Sequence, residues 1–219
     1  MGKKFLKLIL LFFFISFIGC LNYYQETELK IDGSGKMYCH FWSKFSEQDS
    51  VILKQLGIFE RDSIVKYFSA EGIDIIDTEK YYDKNDSSWH GKIFLKFVHI
   101  DSLNKIAAFS DFSFIWNKGS KNLITFIQKI KPFGGGVVAI MPSYAIEFVY
   151  YIPGKIYSHN AAKINNNKLT WRFNSKEIGT EKKIYVLFKP YKLKETPEWI
   201  YYATFIVLIL VFYYLFRKK

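Results

Sequence analysis

The chain has 219 residues, of which 50% are hydrophobic and 20% are aromatic, and its formal net charge is +11 at pH 7. Six of the 31 basic residues lie at the two extreme ends, where no acidic residue occurs, so 25 basic residues against 20 acidic ones leave the rest of the chain at +5. This mild excess, without a Lys/Arg cluster on one helix, argues against a nucleic-acid-binding protein. Two cysteines exclude a disulfide-rich scaffold.

The N-terminus has the layout of a secretory signal peptide. Three lysines precede an apolar run over residues 8–18, which is short for a membrane span because a spanning helix needs about 20 apolar residues. The run ends in Phe17-Ile18-Gly19-Cys20, which resembles the bacterial lipobox, although the lipobox usually has Leu in place of Phe17. We predict residues 1–19 to be a lipoprotein signal peptide and Cys20 to be lipidated. The alternative is an uncleaved hydrophobic anchor.

Residues 20–197 are predicted to form one extracytoplasmic α+β domain. Residues 24–32 and 37–41 alternate in polarity on either side of Gly33-Ser34-Gly35 and predict a β-hairpin. The apolar spacing over 46–70 predicts one or two amphipathic helices. Strands are expected at 73–78 and 93–100, followed by a short helix through Phe109 that Asp101 or Ser102 could cap.

The second half of the domain is predicted to be almost wholly β. Residues 112–116 and 123–130 form a hairpin pattern, and four further strands at 144–152, 155–159, 168–173 and 183–188 fit a meander. The fold class is therefore α+β, with a long antiparallel sheet or meander and two or three amphipathic helices. Residues 134–141 fit a loop, a helix or a strand.

The C-terminus is predicted to be a transmembrane helix over residues 198–216, followed by a basic cytoplasmic tail over 217–219. The segment from Trp199 to Phe216 contains no charged side chain and begins with aromatic residues that suit a membrane interface. Basic residues mark the cytoplasmic side of both ends. The expected location is the bacterial cytoplasmic membrane, with the domain on its extracytoplasmic face and the C-terminus in the cytoplasm.

Three features together resemble the bacterial lipoprotein family typified by mycobacterial LppM. They are the Asp32-Gly33-Ser34-Gly35 turn, the late strand ending at Pro153-Gly154, and the segment from Asn160-Ala161 through Asn165 to Trp171. The resemblance covers nearly the whole chain and implies a lipobox, an α+β domain and one C-terminal transmembrane helix ending in basic residues. It implies a location in the cell envelope, and no catalytic residue can be carried over from it.

No group of residues in the sequence predicts catalysis, a metal site or a cofactor. The four histidines, His40, His90, His99 and His159, lack the paired spacing of a zinc site and are expected at strand edges. The five acidic residues within 74–86 do not match a calcium-binding loop and are expected to be solvated. Cys39 lies in an apolar strand pattern and is predicted to be a core residue.

Several strands are apolar on both sides, so both of their faces must be covered. An ordinary two-sided core is favoured over a curved sheet that encloses an apolar cavity or rests against the bilayer. The functional hypothesis is a non-enzymatic envelope lipoprotein that binds membrane lipids or amphiphilic molecules. The alternative is a module that docks another envelope protein, and a hydrolase is the least favoured class.

Overall fold

A computed structural model describes residues 20–44, 61–132, 143–174, 177, 180–191 and 197–217. Seven strands form one mixed sheet, namely β1 (Cys20–Leu29), β2 (Gly35–Lys44), β3 (Ile73–Asp83), β4 (Ser88–Phe97), β7 (Ser143–Tyr151), β9 (Lys163–Asn165) and β10 (Lys168–Asn174). Four strands form a second sheet, namely β5 (Phe112–Lys118), β6 (Ile124–Ile130), β8 (Gly154–His159) and β11 (Lys182–Pro190). The predicted α+β class is confirmed.

Helical segments complete the described structure. They are α1 (Arg61–Phe68), α2 (Glu198–Arg217) and three short 3₁₀ turns at Ile100–Lys105, Ala107–Phe109 and Ser120–Asn122. In α1, Ile64 and Phe68 are four residues apart and are both buried, because this spacing places them on one helix face. The prediction that Asp101 or Ser102 caps the 100–105 turn was wrong. That turn is capped by His99, whose side chain accepts a hydrogen bond from the backbone N–H of Asp101.

The strand order shows how the chain moves between the sheets. The seven-stranded sheet has the order β3-β4-β2-β1-β7-β10-β9 and the four-stranded sheet has the order β5-β6-β11-β8. The β1–β7 pair is parallel, and the other pairs are antiparallel. The four late strands that the sequence predicts are present, but they alternate between the two sheets and so do not form one continuous meander.

The first hairpin is confirmed, and its two glycines have different structural roles. Gly33 has a positive φ of 88° in the turn, a conformation that glycine adopts without steric cost. Gly35 provides space instead, since a Cβ there would lie 2.2 Å from the carbonyl oxygen of Glu28. The Asp32 carboxylate accepts hydrogen bonds from the backbone N–H and the hydroxyl of Ser34, and these bonds lower the pKa of Asp32.

The core lies between the inner faces of the two sheets, as the favoured interpretation predicted. The rings of Phe126 on β6 and Tyr150 on β7 are 4.8 Å apart, and both side chains are fully buried. A buried polar chain also joins the sheets: Gln25 Nε2 donates to the Tyr150 hydroxyl at 2.9 Å, and that hydroxyl donates to Gln128 Oε1 at 2.6 Å. Such a chain restricts how the two sheets can pack, because each buried polar group requires its partner.

Asn160 provides a second link between the sheets. Its side-chain oxygen accepts from the indole N–H of Trp171 on β10 at 2.9 Å and from the backbone N–H of Tyr185 on β11 at 2.8 Å. Asn160 and Trp171 belong to the segment that carries the family resemblance, so that segment occupies the crossing between the two sheets.

The helix α2 confirms the predicted apolar C-terminal helix. Its stretch Trp199–Arg217 is long and apolar enough to span a membrane, and none of it is buried. Twenty residues rising about 1.5 Å each extend about 30 Å, which matches the hydrocarbon core of a bilayer.

Candidate functional site

The outer face of the four-stranded sheet has an unusual charge pattern. Its strands β5, β6, β8 and β11 contain no acidic residue, and their basic residues are Lys118, Lys129, Lys155, Lys182, Lys183 and Lys189. Four of these lysines, together with three aliphatic residues and two tyrosines, form what we call the basic face. Its members are Ile115, Ile127, Lys129, Lys155, Tyr157, Lys183, Tyr185, Leu187 and Lys189.

Strand alternation explains the composition of the basic face. Along β6 the buried residues Phe126 and Gln128 point to the core, while Ile127 and Lys129 between them point outward. Ile115 and Tyr185 flank Ile127 on the neighbouring strands. The result is an apolar row across three strands, with two lysines opposite each other on one of the two adjoining rows.

Lysines face lysines across this sheet. Lys183 is directly opposite Lys129, and Lys189 is directly opposite Lys155. Like charges opposite one another destabilise a sheet. Two of the lysines lie over tyrosine rings, Lys183 over Tyr185 at 5.3 Å and Lys155 over Tyr157 at 5.7 Å, so each ammonium group is held beside an aromatic surface.

Several charges of the seven-stranded sheet are paired with a charge of opposite sign. Glu28 faces Lys36, Asp74 faces Lys96, Lys92 binds Glu79 at 2.9 Å and Arg172 binds Glu147 at 2.8 Å. Lys36 and Lys96 also face one another, but each has one of those acidic residues on its other side. The uncompensated lysine pairs therefore belong to the basic face.

A second group of interest lies on the outer face of the seven-stranded sheet, where His40 and His90 meet on the interior strands β2 and β4 and not at strand edges as predicted. His40 Nε2 is 2.9 Å from His90 Nδ1, His90 Nε2 is 2.6 Å from Ser88 Oγ, and Ser88 Oγ is 2.5 Å from Asp86 Oδ1. Trp42 stacks on His40 with 4.5 Å between ring centroids, and Tyr81 stacks on His90 at 4.6 Å. We call Asp86, Ser88, His90 and His40 the histidine network.

The proton positions in the histidine network follow from Asp86. An ionised carboxylate can only accept hydrogen bonds, and the bond from Ser88 lowers the pKa of Asp86. Ser88 therefore donates to Asp86, His90 Nε2–H donates to Ser88, and His40 Nε2–H donates to His90. Burial, together with the nearby His90 and Lys92, lowers the pKa of His40 to about 4, so that ring is neutral at pH 7.

The network does not have the arrangement of a Ser-His-Asp triad. In a triad the histidine lies between the serine and the carboxylate, and the serine is open to the substrate. Here Ser88 lies between His90 and Asp86, and it is fully buried. The geometry therefore offers no activated serine nucleophile.

The remaining predicted residues lie apart from both groups. Cys39 is fully buried as predicted, and burial raises the pKa of its thiol to about 12. His99 caps a 3₁₀ turn and is 3.1 Å from Asp101, and His159 ends β8. Cys20 is the first residue of β1, where it pairs with Ser143. Its lipidation stays a prediction, and residues 1–19 and 134–141 lie outside the described residues.

The sequence interpretation missed the histidine network because the contact between His40 and His90 depends on strand pairing. His40 and His90 are fifty residues apart and meet through the β2–β4 register. One signal was present: Ser88 and His90 are spaced by two on β4, and this spacing places their side chains on one face of the strand. The basic face also had a signal, since its strands lack acidic residues.

Comparison with known proteins gives weak structural similarities and no sequence match. No protein-family model matches this chain, and no curated protein sequence matches it. The folded domain of the Mycobacterium tuberculosis LppM protein, determined by NMR, is similar with a TM-score of 0.49 and 10% identity, covering 80% of this chain and 92% of that one. The yeast delta-COP-I mu-homology domain, solved with a Dsl1 WxWxV peptide, has a TM-score of 0.27 and 10% identity, covering 80% and 76%. Membership of the LppM-type family stays a prediction.

Proposed function

We propose that this chain is a non-enzymatic, membrane-anchored lipoprotein of the bacterial cell envelope whose domain contacts anionic lipid through the basic face. The proposal rests on one observation: two lysine pairs face one another on a sheet whose four strands contain no acidic residue. Anionic headgroups would relieve this repulsion. Each lysine near an anionic surface contributes about 1 kcal/mol, so the four lysines of the basic face would contribute about 4 kcal/mol.

The position of α2 supports the same surface. The last strand of the four-stranded sheet, β11, ends at Pro190, and α2 begins at Glu198. Eight residue steps extend at most about 29 Å. When α2 spans the bilayer, the end of β11 is therefore held close to the lipid surface, and a tethered surface needs little intrinsic affinity to remain bound.

A lipidated Cys20 would favour a face-on arrangement of the domain. Cys20 starts β1, which runs parallel to β7, and β7 ends at Tyr151 close to Gly154. Gly154 pairs with Pro190 at the end of β11, so the two anchors leave opposite ends of strands about 30 Å long. A domain held at both ends lies along the membrane and presents a broad face to it.

Amine labelling of the full chain in nanodiscs tests the lipid contact. Lys129 and Lys183 should react about fivefold more slowly in discs containing phosphatidylglycerol than in phosphatidylcholine discs, since 1 kcal/mol corresponds to about that factor. Lys36 and Lys96, on the other sheet, are the matched internal controls. Equal labelling ratios for the two pairs would contradict the proposal.

Replacing Cys20 with Ser tests the anchor independently. The expected result is loss of the acyl mass and of signal-peptide processing, while α2 retains the chain in the membrane. An unchanged N-terminal mass without loss of acyl chains would rule out lipidation and leave the lipid-contact test intact.

Docking to another envelope protein is a second candidate, favoured by one edge of the seven-stranded sheet. The edge strand β3 has eleven residues and exposes Ile76 and Tyr82, each 42% accessible. Long edge strands with apolar side chains are templates for an added strand. Crosslinking in membranes separates the candidates: a single stoichiometric protein partner favours docking, and labelling by lipid-borne probes alone favours lipid contact.

A further inference from the structure

We propose that Asp83, Asp86 and His90 bind a divalent transition-metal ion of the Zn²⁺ type, with His40 holding the His90 ring in place. One ligand atom from each of the three residues lies within 4.8 Å of the other two. This site is separate from the basic face, since it lies on the other sheet.

Local structure brings the three ligands together. Ser88 and His90 lie on the same face of β4, and Asp86 precedes that strand in the turn, where its carboxylate contacts the Ser88 hydroxyl beside His90. Asp83 ends β3 and is the register partner of Ser88. The turn between β3 and β4 therefore brings a carboxylate oxygen of each aspartate within 4.8 Å of a ring nitrogen of His90.

The donor set selects a class of cation. One imidazole nitrogen with two carboxylate oxygens suits Zn²⁺ and related transition ions, whereas Mg²⁺ and Ca²⁺ prefer all-oxygen sites. Three protein ligands leave a fourth position for water in a tetrahedral Zn²⁺ site. His90 is only 7% exposed, while Asp83 and Asp86 are partly exposed, so the site has one buried wall and one side open to solvent.

His40 supplies the outer contact that a metal-binding histidine needs. A ligating imidazole donates its other ring N–H to a neighbouring acceptor, which sets the orientation of the ring. When His90 Nε2 binds a cation, its proton lies on Nδ1, which is 2.9 Å from His40 Nε2. His40 Nε2 then accepts a hydrogen bond from His90 Nδ1–H, and the proton of the neutral His40 ring lies on its Nδ1.

Ser88 occupies the bridging position in the network. Its hydroxyl contacts both His90 Nε2 and Asp86 Oδ1, the two atoms that would bind the ion. Binding requires the hydroxyl to rotate away or to join the coordination shell.

Calorimetric titration of the full, untagged chain in detergent micelles with zinc chloride tests the site. The expected result is one ion per chain, with affinity lowered at least tenfold by Asp83→Asn or Asp86→Asn. His40→Gln should lower it by about 10- to 100-fold, as outer contacts of metal sites do. X-ray absorption at the zinc edge should show one imidazole ligand.

Matched variants keep the test decisive. Asp74→Asn removes the same charge from the other end of β3, and His159→Gln removes a histidine from β8; both should bind zinc as the unmodified chain does. Zinc should raise the melting temperature of the unmodified chain but not that of Asp86→Asn, which also reports that the variant folds. Failure to bind one equivalent, or equal losses in the control variants, would overturn the proposal.

Discussion

The two sheets share one core but differ in what they present outward. On the seven-stranded sheet, Lys92 and Arg172 are paired with Glu79 and Glu147. On the four-stranded sheet, Lys129 and Lys183 face each other without an acidic partner on any of its strands. The first sheet holds acidic partners for these two cations, and the strands of the second sheet contain no acidic residue. This difference in charge compensation is the reason we propose that the basic face, and not the outer face of the seven-stranded sheet, contacts anionic lipid.

The largest expected effect is the protection of the Cys39 thiol, which lies on the inner side of β2. In a Cys20→Ser chain, where Cys39 is the one remaining thiol, we expect thiol labelling of the native protein at pH 8 to be at least about a thousandfold slower than in denaturant. The pKa of Cys39 rises from 9.0 to about 12, and each unit lowers the thiolate fraction about tenfold. Rapid labelling of the folded chain would show that β2 is open to reagent.

The next largest effect is the difference in the free energy of unfolding between substitutions on the two faces of β6. Phe126→Ala should lower the free energy of unfolding by about 3–5 kcal/mol, because the ring is fully buried. Ile127→Ala, one residue along on the basic face, should cost about 1 kcal/mol or less. Chemical denaturation of the two variants measures the difference, and equal losses would mean that the outer face of the sheet is as tightly packed as the core.

A smaller effect concerns the polar chain that joins the sheets. Tyr150→Phe removes the hydroxyl between Gln25 and Gln128 and leaves buried amide groups without that partner. We expect a loss of about 1–3 kcal/mol. Thermal unfolding followed by circular dichroism checks it, with Tyr157→Phe on the exposed strand β8 as the control that should change little.

The smallest expected effect is a change in stability on replacing a lysine, and its sign should be opposite on the two sheets. In detergent without anionic lipid, Lys129→Gln should raise stability by about 0.2–1 kcal/mol, since it removes a cross-strand repulsion. Lys92→Gln should lower stability by a similar amount, since it removes the bond to Glu79. Melting temperatures at low ionic strength measure both changes. If both variants shift in the same direction, the two faces do not differ in charge compensation.

Local sequence patterns predicted most of the strands and the C-terminal helix of this fold, but not the short strand β9. Polarity alternation around Gly33 predicted the first hairpin, and an uninterrupted apolar run predicted α2. Both depend on neighbours in the chain. The division of the late strands between two sheets depends on pairings between distant segments, such as β7 with β1, and no short-range pattern carries that information.

The same distinction holds for the candidate sites. The sequence by itself determined that β5, β6, β8 and β11 lack acidic residues, that Cys39 is apolar in context and that the C-terminal helix can span a membrane. Only the tertiary structure decided that lysines oppose lysines and that His40 meets His90. Cross-strand register places side chains a few ångströms apart whatever their separation in the chain, and this register is set by packing of the whole domain.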